Sequence, residues 1–380
     1  MTSERKSVWA IFIVFFLESA VLGNWIPRIP DLKQQLGLTD GSLGLCLLAI
    51  PLGTFIGLIV AGKMIEHTGL RRACQISLPA WAISFVFPPL APNPIVFVIF
   101  LFIAGVAVGM IEVAMNTEAD RIEQHIKKRI MSRCHGFWSL GSMAGALMGG
   151  ALAQVGLSVA VHFAIVMPIL ALIGWWTASQ LPRVASVTAS HEDAPLFRLP
   201  TRAIILLCLL PMGAMVVEGA FIDWSGVFMR SIMDASPLVI SITYSFFAIV
   251  MATVRLCGDA IGERVAARTI VQCSGVASAV GIAVFALAPN LVVAYIGAAI
   301  SGIGVAIVYP LAVTAAARRP GRSAADNVAA ITMISFTAFM IAPPVIGFLS
   351  EAFGLRIALL MLAPVALTTA LLSHEVPDRQ

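Results

Sequence analysis

Four acids stand inside stretches that are otherwise apolar: Glu18, Glu112, Glu218 and Asp223. The clearest setting is Gly105-Val-Ala-Val-Gly109-Met-Ile-Glu112-Val-Ala-Met-Asn116, in a run that carries no charge from Pro94 up to Glu112. Steps of four, three and four residues put 105, 109, 112 and 116 on one helical stripe. The two glycines let another helix come close. An acid near the middle of a membrane helix costs roughly 2.5–3.5 kcal/mol on insertion scales, so it must face protein or a water-filled cavity. Such an acid is a functional hypothesis, and the structural alternative is a carboxylate buried against an arginine or backbone donors. A second stripe, His135, Trp138, Ser142, Gly145 and Gly149, follows in the next apolar run. His135 comes early in that run and Glu112 and Asn116 late in the one before, so they reach the same depth. A carboxyl and an imidazole meeting there could exchange a proton. The bland alternative is a pair that only holds two helices together.

Glu18 lies about 11 residues into its run and Glu218 about 15 into its own, the latter roughly 22 Å along the axis at 1.5 Å per residue. Both can line a cavity. Glu218 and Asp223 are five apart, about 140° around a helix, so they cannot point into one spot. Asn24 and Trp25 follow Glu18 much as Asp223 and Trp224 follow Glu218. The expected solute contacts are therefore Glu18, Asn24, Trp25, Asn116, Trp138, Glu218, Asp223, Trp224 and Tyr309. The expected proton carriers are Glu112, His135 and Glu218. Trp25 and Trp224 also fit the aromatic belt at a membrane surface. Tyr309 offers a hydroxyl in an apolar helix, where packing is the competing role.

The elements that must hold these groups are transmembrane. The chain of 380 residues is 59% hydrophobic and 12% charged, against about 25% charged in a soluble domain. A span needs about 20 apolar residues. Twelve runs qualify, near 7–27, 41–65, 73–91, 94–118, 132–155, 158–180, 203–229, 237–260, 269–287, 290–316, 325–350 and 355–374. The first continues past Gly23 without a small-residue cleavage site and reads as a retained helix. With a cytoplasmic N-terminus, 20 of the 24 Lys and Arg fall on the inner side, and only Arg28, Lys33, Arg230 and Arg356 fall outside. The positive-inside rule predicts that split, and shifting the count by one helix spoils it. The net charge of +4 thus reports topology, not nucleic acid. Both termini are expected in the cytoplasm, in a bacterial inner membrane. Residues 182–202 form the longest polar stretch and divide the chain into expected bundles at 1–181 and 203–380.

The halves look duplicated. Gly149 and Gly156 match Gly347 and Gly354 at a constant offset of 198 positions. The second run leaves through Gly62-Lys-Met-Ile-Glu66-His-Thr-Gly69-Leu-Arg71-Arg72, and the eighth through Arg255-Leu-Cys-Gly258-Asp259. Arg255 and Asp259, four apart, can pair on one face. Parallel repeats of this kind place a solute site near the midplane between halves.

Over nearly its full length the sequence resembles the major facilitator superfamily. Gly62 to Arg72 is similar to that family's loop between the second and third helices, with Glu66 where Asp is usual. The resemblance implies an all-α polytopic fold of twelve transmembrane helices in two pseudo-symmetric six-helix bundles. It also implies a cytoplasmic latch at Gly62, Glu66, Gly69, Arg71 and Arg72, with Arg255 and Asp259 as the repeat's counterpart. Asn24-Trp-Ile-Pro-Arg28-Ile-Pro-Asp31, Glu112-Val-Ala-Met-Asn116, His135-Gly-Phe-Trp138 and Glu218-Gly-Ala-Phe-Ile-Asp223-Trp224-Ser225 resemble the MosC/YbjJ-like branch. The association of MosC with an inositol amine implies polar cyclic polyols as cargo. The fifth run lacks the Gly-Pro pair of the family's antiporters.

The expected function is a secondary active transporter for a small polar organic solute, a sugar, polyol or amino-sugar-like compound, with protons as coupling partner and the lipid bilayer as setting. No Gly-x4-Gly-Lys-Ser/Thr encodes an ATP drive. No His-Glu-x2-His or Gly-x-Ser-x-Gly supports an enzyme. The six cysteines form no CxxC, so neither metal nor disulfide framework is expected. No cofactor is expected, and the chain is expected to be monomeric. The alternatives are an efflux transporter for amphipathic compounds and a non-transporting membrane sensor on the same frame.

Overall fold

A computed structural model describes residues 3–182, 200–202, 204–321 and 323–377, without the side chains of 3, 259, 324 and 325. Most of the expected linker lies outside the described residues. Among those described, there is no strand. The principal helices are α1 (Ser3–Trp25), α2 (Ala49–Thr68), α3 (Leu70–Ser84), α4 (Pro94–Ile126), α5 (Met131–Gln154) and α6 (Val159–Ala178). They continue with α7 (Met212–Asp223), α8 (Pro237–Gly262), α9 (Ala267–Ala286), α10 (Leu291–Val305), α11 (Ala324–Phe353) and α12 (Leu362–Leu371). Short helices extend several of them: Asp40–Leu47 before α2, Ile205–Leu209 before α7, Ser225–Ser231 after it, Val308–Ala317 after α10, and Leu355–Leu360 before α12. Eleven of the described spans are long and apolar enough to cross a membrane. The twelfth is α5, 24 residues long, whose glycines and serines dilute its hydropathy.

Two compact units result. The first holds Met1–Leu38, Leu45–Glu192 and Ser236–Ile242, and the second Thr39–Gly44, Asp193–Ala235 and Thr243–Gln380. Within the second, Thr39–Gly44 is fixed by Ser350, whose hydroxyl donates to Asp40, and by Gly41 N–H donating to Glu351 Oε1 at 3.0 Å.

Local sequence explains where the helices begin and end. Asn93 caps α4 by accepting from Val96 N at 3.0 Å, and Asn290 caps α10 by accepting from Val293 N at 3.1 Å. Gly156 and Gly354, matched in the sequence, share a left-handed backbone at φ 82° and 83°. Only glycine takes that conformation without cost, which is why the duplicated turns kept it.

The glycine expectation for the fourth span holds. Added methyl groups at Gly105 and Gly109 would run into the carbonyls of Ile50 and Thr54 on α2. Methyls at Gly53 and Gly57 would meet those of Phe102 and Val106 on α4. The four glycines let two backbones touch, the means of association open to helices in lipid. α4 runs eight residues beyond the expected end at 118. Arg121 pairs with Glu118 at 2.6 Å and Gln124 Nε2 donates to Asp120 Oδ2 at 2.7 Å, which extends the helix past its apolar part. Glu123 then accepts from Ile130 N at 2.6 Å and Met131 N at 3.0 Å, satisfying free amides at the start of α5.

Candidate functional site

In the first unit the polar groups gather around Glu18. Its side chain is in the core of α1, with the residue 1% exposed. Oε2 accepts from Trp138 Nε1 of α5 at 2.6 Å, and Glu18 O accepts from Trp81 Nε1 of α3 at 3.0 Å. Ser19 Oγ donates to Trp138 O at 2.5 Å, so Trp138 is fastened to α1 at both its backbone and its ring. Glu112 is half-buried on α4, and Asn116 one turn on donates to its Oε2 at 3.0 Å and to its carbonyl at 2.8 Å. α4 packs against α1, the helix that carries Glu18. Neither acid is ion-paired among the described residues. Four helices thus bring two carboxyls, an amide and two indoles together. Such a pair can hold one proton between two acids, because two nearby charges in low dielectric repel.

His135 is half-buried in the first turns of α5, its ring edge-on to Phe15 with centroids 5.5 Å apart.

In the second unit, Glu218 of α7 is not a free cavity acid. Arg255 Nη2 lies 3.2 Å from its Oε1, each side chain 13% exposed. The expected pairing of Arg255 with Asp259 is not among these contacts, because the Asp259 side chain lies outside the described residues. Arg's long stem lets the charge reach inward from a helix end to a buried acid. Tyr309 OH is 3.0 Å from Thr332 Oγ1 of α11. Asp223, at the end of α7, is half-buried, and among the described residues nothing donates to its carboxylate.

Four expected solute contacts are core residues: Glu18, described above, and Asn24, Trp25 and Trp224. Trp25 is 1% exposed and fills a cluster with Phe85, Phe97 and Phe163, at 5.2, 6.2 and 6.5 Å between ring centroids. Asn24 is buried, donates to Ala20 O at 2.8 Å and meets His162 Nε2 through Oδ1 at 2.9 Å. Trp224 is fully buried. None has surface to offer a solute, and neither tryptophan sits in an interfacial belt. The expected loop between the second and third spans is a single residue: Gly69, at φ 76°, closes α2 and opens α3. Gly62 and Glu66 lie exposed in the last turns of α2, while Arg72 is exposed and Arg71 half-buried in the first turn of α3.

Sequence reasoning missed Trp81, Ser19, Glu118 and His162. A tryptophan or serine in an apolar run carries no mark of its partner. Glu118 is fully buried beside Arg121, but it lies six residues past Glu112 and off that stripe.

A family model described as Major Facilitator Superfamily matches residues 11–339. An uncharacterized MFS-type transporter of Yersinia pestis is 29% identical over 366 residues, 96% of this chain and 94% of the relative. Membrane protein MosC of Rhizobium meliloti is 27% identical over 367 residues, 97% and 89% of the two chains. Among solved structures, the nucleoside transporter NupG aligns with a TM-score of 0.73 at 15% identity, covering 98% of each chain. A D-xylose-proton symporter aligns at 0.74 and 15% identity, also covering 98% of each. These two likenesses establish the fold.

Proposed function

The chain belongs to the Major Facilitator Superfamily of multi-pass membrane transporters, and from that premise we propose a proton-coupled secondary transporter for a small polar organic solute. It works by alternating access in the bacterial cytoplasmic membrane, with both termini inside. The observation that carries the reading is the Glu18–Glu112 pair, two acids within membrane spans with no cation beside them among the described residues. Lipid does not tolerate such groups without a task or a partner. Glu112 is the coupling acid, Glu18 its neighbour, and His135 the group that passes the proton toward the inner end of α5.

The half-buried polar groups suit a hydroxyl-rich solute. In the first unit Asn116 and Trp138 offer an amide and a ring face; in the second, Glu218, Asp223 and Tyr309 offer carboxylates and a hydroxyl. A sugar, polyol or amino sugar matches that chemistry better than an apolar compound. The α2–α3 junction, Gly62–Arg72, and the inner end of α8 serve as gates. Glu218 enters the cycle as the counter-charge of Arg255.

The test is a thermal-shift panel of polyols, sugars and amino sugars on purified protein, followed by flux of any stabilising compound into proteoliposomes. Stabilisation with gradient-driven flux supports the reading. Stabilisation without flux makes the protein a sensor and sinks it.

A further inference from the structure

The tenth span is broken, and the break has an external donor. α10 stops at Val305 and helix resumes at Val308. Pro310 has no N–H, so the carbonyl four residues earlier, Ala306, cannot receive its helical hydrogen bond. Ala306 is fully buried, where water cannot replace the missing donor. Arg255 Nε fills the vacancy at 3.0 Å. The same guanidinium reaches Glu218 Oε1 at 3.2 Å. One planar fork therefore joins α7, α8 and the break, all within the second unit. Tyr309, beside Pro310, is linked through its hydroxyl to Thr332 of α11, so any flexing of the break moves a candidate solute contact.

We propose that Arg255 is a positioning residue that couples the charge on Glu218 to the hinge at Ala306–Pro310. While Glu218 holds one arm of the guanidinium, the other arm is set on the Ala306 carbonyl. Loss of the Glu218 charge, by proton or by a cationic group on the solute, releases the arm and frees the break. The use of this hinge in a carrier's cycle rests on the transport reading; the coupling itself does not.

The experiment is hydrogen exchange of segment 306–311 in detergent-purified full-length protein, without added solute. Arg255→Gln and Glu218→Gln should each raise exchange there severalfold. Pro310→Ala restores an N–H for Ala306, so Arg255→Gln in that background should raise it far less. Arg255→Lys keeps the charge facing Glu218 but has no fork. It should loosen the segment in the parent and not in Pro310→Ala. An equal rise in both backgrounds overturns the proposal, because a packing role for Arg255 does not depend on Pro310. An unchanged segment in Glu218→Gln also overturns it, and that arm decides the matter alone should Pro310→Ala fail to fold. Coupled exchange with no flux in vesicles would remove the transport reading and leave the coupling in place.

Discussion

Asn24 decides between a solute site and a structural lock, and the first unit gives the numbers to test it. Its amide is buried, bonded to Ala20 O at 2.8 Å and to His162 Nε2 at 2.9 Å. His162 is itself fully buried, and its Nδ1 has no hydrogen-bond partner among the described residues. Asn24→Leu removes the last bond to that imidazole. A buried polar group so stranded costs about 1–3 kcal/mol. His162→Phe strands Asn24 Oδ1 in turn and costs a similar amount. The double variant replaces both partners by apolar groups, which can be nearly neutral. The two single costs together should therefore exceed the double by about 2–6 kcal/mol, read by equilibrium unfolding in mixed micelles as a double-mutant cycle. Solute-induced stabilisation should be the same in the double variant as in the parent. Additive costs would refute the lock, and loss of solute response in a folded double variant would return Asn24 to the solute site.

Other outcomes follow from packing. Trp25→Ala should cost about 3–5 kcal/mol through the cavity left among Phe85, Phe97 and Phe163, measured in the same unfolding assay; a loss under about 1 kcal/mol would mean that the ring is not core. Gly57→Leu should destabilise by about 1–3 kcal/mol or more, since any side chain meets the Val106 carbonyl of α4. A methyl at Gly62 meets nothing within 4 Å and the residue lies inside α2, so Gly62→Ala should raise stability by up to about 1 kcal/mol and not lower it; reduced flux in that variant would then belong to gating.

The spans were legible because lipid imposes one simple rule, about 20 apolar residues per crossing with basic residues inside. The duplicated glycines were legible too, because a left-handed turn leaves few other choices of residue. Glu112 stood out through its cost in an apolar run, and its neighbours Gly105 and Gly109 signalled the close helix correctly. Direction was harder. Trp25 looks the same in a sequence whether it faces lipid, solute or core, since all three accept an indole. Arg255 was read with Asp259 because spacing along one helix is visible. Its reach to Glu218 and to a carbonyl freed by Pro310 depends on tertiary placement, which sequence spacing does not carry.

The most direct measurement is gradient-driven solute accumulation in proteoliposomes with the parent protein and Glu112→Gln side by side. Polyols, sugars and amino sugars would be supplied under an imposed proton gradient, with folding of both proteins verified by their unfolding curves. The account predicts accumulation of at least one compound by the parent, and none above the no-gradient level by a folded Glu112→Gln. Undiminished accumulation by that variant would contradict the assignment of the proton to the Glu18–Glu112 pair.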